Sequence, residues 1–99
     1  MGLIATAVAA VALQASARGE VVVVHSGWEL RDWCEAESQL VYLAEGLRPD
    51  QWSAMYWERD DVLYVKGSWQ LDSLEVIVDC HIERGATRDH AVMTIHERR

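Results

Sequence analysis

The sequence has no phenylalanine and no asparagine, a single lysine, a single proline and two cysteines. Without asparagine there is no N-glycosylation acceptor. One proline, Pro49, leaves no proline-rich linker, and no repeat or low-complexity tract divides the chain. Lys66 and eight arginines face sixteen acids, for a net charge of −7. Such a surface repels phosphate backbones, which disfavours nucleic acid and anionic lipid and favours a basic protein or a cationic ligand. No apolar run approaches the roughly 20 residues of a membrane span. The chain contains no HExxH, no CxxC, no phosphate-cradling glycine-rich loop and no GxSxG elbow, so no familiar catalytic or cofactor motif is present. The scarcity of Lys, Asn and Phe beside abundant Arg points to a GC-rich bacterial genome.

What the chain does have begins with an uncharged apolar stretch closed by Ala15-Ser16-Ala17 and followed at once by Arg18, Gly19 and Glu20. Its apolar core, Leu3 to Leu13, has the length of a signal-peptide h-region, and Ala-x-Ala suits the cleavage step. Residues 1–17 therefore read as a secretory leader, although only the α-amino group supplies its positive charge. The competing reading is an N-terminal helix, since Ala, Leu and Gln favour helix. The remaining residues, 18–99, are enough for one small domain with a modest core, for which a covalent staple would matter. Export would place Cys34 and Cys80 in an oxidising space, either periplasmic or extracellular. The charge is uneven: residues 20–61 hold ten acids against Arg31, Arg48 and Arg59, whereas 62–99 are nearly balanced.

The spacing predicts an α+β domain of order β-α-β-β-β-β, one helix on an antiparallel meander of four to five strands. Four consecutive valines within 20–25 predict a first strand. Ser26-Gly-Trp-Glu29 predicts a capping box. Leu30, Trp33, Cys34, Glu37, Val41 and Ala44 then recur at helical spacing, with Leu40 beside them, and Gly46 is placed to end the helix. After Pro49 the period becomes two. Strands are expected over 52–57 and 62–69 around a four-residue turn, Glu58 to Asp61, and over 74–83 and 90–96. A register setting Glu83 opposite His90 brings Ile82 to Ala91, Cys80 to Met93 and Val78 to Ile95, which leaves one uniformly apolar face. The two periods then place Cys34 and Cys80 on facing buried surfaces, where a disulfide can join them. Cystatin-like domains share this element order, but the glutamine-valine-glycine hairpin and proline-tryptophan loop of that family are missing, and the order carries no activity by itself.

The first hairpin is apolar on both sides: Tyr56, Leu63, Val65 and Trp69 share one parity, and Met55, Trp57, Val62 and Tyr64 the other. Met55, Trp57 and Tyr64, with the acids Asp60 and Asp61 at the turn, are the expected partner-binding residues, unless the valine strand or a second subunit covers them. His81, His90 and His96 share a face with Asp79 and Glu83, a workable zinc or copper set by chemistry, but the register disperses the rings along the strands, and no metal or cofactor is expected. Asp60 and Asp61 read as turn residues, Ser26 as a helix cap and Cys34 as a disulfide partner, so no catalytic residue is expected. The expectation is a non-enzymatic exported binding protein, an inhibitor or immunity-type protein against a basic partner. The alternative is an envelope component that homo-oligomerises, and a periplasmic metal binder comes third. Mass spectrometry of native material should find a chain beginning at Arg18 without titratable thiols. An intact chain bearing two free thiols would overturn the export reading.

Overall fold

A computed structural model describes residues 21–98. The leader assigned to residues 1–17, and Glu20 of the expected first strand, lie outside the described residues. The elements are a helix, α1 (Gly27–Leu43), and four strands, β1 (Asp50–Arg59), β2 (Val62–Leu71), β3 (Leu74–Glu83) and β4 (Val92–Arg98). The strands form one antiparallel meander in the order β1-β2-β3-β4, with α1 packed on one face.

The helix starts where the capping box requires. The Glu29 backbone N–H donates to Ser26 Oγ at 3.4 Å, and the His25 and Ser26 N–H groups donate to Glu29 Oε1 at 2.7 and 3.0 Å. These bonds, that from His25 foremost, hold the Glu29 carboxyl below its ordinary range. At the other end Gly46 adopts φ +77, its N–H donating to Leu43 O while the Leu47 N–H reaches Tyr42 O. This pair of bonds is a Schellman stop, which glycine fits because it carries no Cβ.

The inward face of α1 is rotated from the expected stripe. Leu30, Cys34, Ser38 and Tyr42 are buried, whereas Leu40, Val41 and Ala44 are exposed. Two hydrogen bonds account for a serine and a tyrosine displacing aliphatic residues. The Trp69 indole N–H donates to Ser38 Oγ at 2.9 Å, and the Ser38 hydroxyl donates to Cys34 O at 2.6 Å, so a buried indole and hydroxyl satisfy one another. Tyr42 donates its phenol proton to Glu97 Oε2 at 2.8 Å, tying the last turn of the helix to β4.

The expected register holds in the β3–β4 ladder, where Val78 pairs with Ile95, Cys80 with Met93 and His81 with Val92. The ladder stops there. His90, expected opposite Glu83, lies instead in a 3₁₀ turn, Arg88–His90. The β1–β2 connection is also tighter than the expected four-residue turn. Arg59 pairs with Val62, leaving a two-residue loop, Asp60-Asp61, with φ +53 and +63. Positive φ at both central positions suits the right-handed twist of a hairpin, and aspartate tolerates it better than most residues.

The valine segment is not a strand. Only Val23 makes a bridge, to Thr87; the Val24 N–H donates to Ala86 O, and the Gly85 and Arg88 N–H groups donate to Val24 and Val22 O. Its backbone therefore bonds to the irregular β3–β4 connection rather than to a sheet edge. β-branched composition is satisfied here by burying Val24 in the core rather than by a ladder.

The core lies between α1 and the sheet face formed by Leu63, Val65, Trp69 and Leu71 of β2 and Val76, Val78, Cys80 and Ile82 of β3, all buried. Trp52 of β1 completes it by lying over Gly67, where a Cβ would come within 2.2 Å of the ring. A β-bulge between Asp50 and Ser53, with Gln51 at φ +60, sets Trp52 in place against Trp69, ring centroids 4.9 Å apart. Cys34 and Cys80 are joined by a disulfide in this core, 46 residues apart in sequence.

Closing a loop of that size limits the unfolded chain and on loop-closure grounds stabilises the fold by about 4 kcal/mol. The Cys34→Ala/Cys80→Ala variant should lose stability of that order in denaturant titration. A loss below about 1 kcal/mol would contradict a structural role for the bond. Burial, helped by the bond to Glu97, pushes the Tyr42 phenol from its ordinary 10.0 up to about 12. A pKa raised in the folded state means that its stabilisation is intact below pH 10 and disappears as the pH climbs to about 12. Denaturant midpoints should fall across that window, and less steeply in Tyr42→Phe. Identical slopes in the two proteins would remove the seam between α1 and β4 as the cause.

Candidate interaction surface

Because α1 covers one side of the sheet, the other side stays open among the described residues. Alternation along the strands sends Met55, Trp57 and Arg59 of β1, Tyr64, Lys66 and Ser68 of β2, Glu75, Ile77, Asp79, His81 and Glu83 of β3, and Val92, Thr94, His96 and Arg98 of β4 to that side. Trp57, Tyr64, His81 and Val92 are partners in successive ladders and form one row across the sheet. The Trp57 and Tyr64 rings stack 5.5 Å apart at 12°, and Tyr64 and His81 lie 6.2 Å apart at 39°. Met55 is 61% exposed, Val92 45% and Trp57 43%. Large side chains of this kind, held side by side and wet, are the composition that protein interfaces favour.

Of the five residues expected to bind a partner, the structure brings Met55, Trp57 and Tyr64 together on this open face. The two acids behave differently from each other. The Arg84 guanidinium pairs with Asp61 Oδ1 at 2.5 Å and Glu58 Oε2 at 2.7 Å, and the Arg84 N–H also donates to Asp61 O. Asp61 thus braces the hairpin against the end of β3. Asp60 remains at the tip as an exposed acid. His81 and Val92 extend the aromatic row and were readable from the β3–β4 register, which already set them opposite each other.

The charge of the open face is balanced, a property composition alone could not show. Arg59, Lys66 and Arg98 stand against Glu75, Asp79 and Glu83, with Arg98 on Glu75 at 2.5 Å and His96 Nε2 3.4 Å from Asp79. The acidic excess lies across the sheet: α1 carries Glu29, Asp32, Glu35 and Glu37 with Arg31 as its lone base. The aromatic row and the helix acids therefore face opposite ways and cannot meet one flat partner together. The valine segment does not cover the aromatic row, since it runs beside the 84–91 connection.

The other candidate chemistries find their residues engaged elsewhere. Ser26 Oγ caps the helix, Cys34 is bonded to Cys80, and the Thr87 hydroxyl donates to Asp89, holding that carboxyl low. His90 has left the face that carries His81 and His96, and among the described residues no group of three potential ligands is drawn together. No described helix is long and apolar enough to cross a membrane. No family model matches the chain, and neither a curated protein nor a solved structure matches it.

Proposed function

We propose that this chain is a small exported domain, free of catalytic activity, that works by binding another protein through the open face of its sheet. The observation that carries the reading is the cluster of exposed Met55 and Trp57 with half-buried Tyr64, carried on a four-stranded platform and uncovered by any described element. Interfaces draw most of their energy from such aromatic anchors once water is excluded around them. The Cys34–Cys80 bond is compatible with a periplasmic or extracellular location, and the leader-like residues 1–17 support export. At the rim, Asp60 supplies a charge for a basic partner, in keeping with an inhibitor or immunity-type role in a bacterial envelope. Because the aromatic row itself is charge-balanced, affinity is expected to depend weakly on salt, with rim charge acting mainly on the association rate.

The test is affinity capture from envelope extract with the oxidised protein, comparing wild type with Trp57→Ala and with a control in the helix acids, Asp32→Ala. Trp57→Ala should lose the captured partner, a truncation at an anchor being worth about 2 kcal/mol or more, while Asp32→Ala retains it. Retention by Trp57→Ala together with loss in Asp32→Ala would move the contact to the helix side and sink the proposal.

A further inference from the structure

We infer that the outer edge of β1 pairs with β1 of a second copy, in antiparallel register centred on Met55, to join two sheets into one of eight strands. The inference is independent of the partner proposed above. Both edges of the meander are open among the described residues, but they differ in chemistry. β4 is the shorter and carries His96, Glu97 and Arg98, the kind of charged edge that resists pairing. β1 runs for ten residues, and its stretch Trp52-Ser-Ala-Met-Tyr-Trp57 has no charge and no proline. Three successive side chains there, Met55, Tyr56 and Trp57, are 61%, 46% and 43% exposed. In a strand, neighbours point to opposite faces, so a cover laid on one face alone would leave either Tyr56 or the other two wet. A strand added at the edge meets all three.

The uncharged stretch Ser53 to Trp57 is complementary to itself in antiparallel pairing, small residues at one end and large at the other, so a second copy fits it, and symmetry narrows the register. A two-fold axis perpendicular to the sheet keeps like faces together, so opposed residues share parity and the axis must pass beside a residue. Centred on Ala54, the register opposes Trp52 to Tyr56 of the second copy, two large rings. Centred on Tyr56, it opposes Tyr56 to itself and Met55 to Trp57. Centred on Met55, it sets Tyr56 against Ala54 and Trp57 against Ser53, a large side chain against a small one on either side of the self-paired Met55, with no charged residue inside the paired stretch. Gln51, at φ +60 within the bulge, marks where this ladder ends, leaving Ser53 to Trp57 of each copy paired. The same two-fold turns both aromatic rows to one side and both acidic helices to the other.

Sedimentation velocity on the full chain across a concentration series tests this. The wild type should form a dimer. Met55→Lys and Met55→Glu, both at a well-exposed position, should each raise the dissociation constant at least about tenfold by opposing like charges at the axis. An equimolar mixture of the two variants should dimerise again, which also shows that both are folded. Val92→Lys, on the open face far from β1, should leave the dimer intact. A wild type that stays monomeric, a mixture that fails to reassociate, or a Val92→Lys variant that dissociates like Met55→Lys would each overturn the inference, the last in favour of face-to-face packing.

Discussion

The rotation of the helix on its sheet is set at mid-helix, by the Cys34–Cys80 bond and the Trp69–Ser38 hydrogen bond one turn further along. The bond joins the middle of α1 to β3, a central strand, and so fixes which side of the helix faces inward. With Cys34 inward, Leu30 and Ser38 must follow one turn to either side, and Tyr42 a turn beyond. Ser38 is tolerable in a core only because the indole of Trp69 meets it, and that indole would otherwise be a buried donor without a partner. Covalent and polar constraints thus agree on a single rotation of the helix, which hydrophobicity alone would not select.

That rotation has a cost on the outside. Aliphatic residues of the last helical turns, Leu40, Val41 and Leu43, stay exposed, and the single helix covers only one side of a four-stranded sheet. The opposite face keeps its aromatic row because residues there have cross-strand neighbours but, among the described residues, no layer above them. Charge is divided by the same architecture. The acids of α1 and the balanced ion pairs of the open face are separated by the thickness of the sheet, so the net charge of −7 describes the molecule and neither of its surfaces.

The parts of the fold legible in the sequence are those fixed by short-range rules. The capping box at Ser26 and Glu29 needs only four residues, the Gly46 stop needs a left-handed position, and the β3–β4 register follows from a parity that a one-residue slip would invert. The disulfide was legible because two periods agreed on it. The valine segment was misread because β-branched composition reports fitness for burial rather than the presence of a free edge to pair with. The helix stripe was misread because Ser38 and Tyr42 owe their burial to Trp69 and Glu97, distant in sequence. The aromatic cluster could be placed on one face by parity, whereas the engagement of Asp61 by Arg84, 23 residues away, needed the folded chain.

Trp52 and Gly67 share one volume: the ring of the first occupies the space where any side chain of the second would stand. The two positions are therefore sterically coupled. Descendants of this chain can enlarge residue 67 only by shrinking residue 52 first, so drift at this corner of the core must proceed by paired exchange, and a library randomised one position at a time would find it closed.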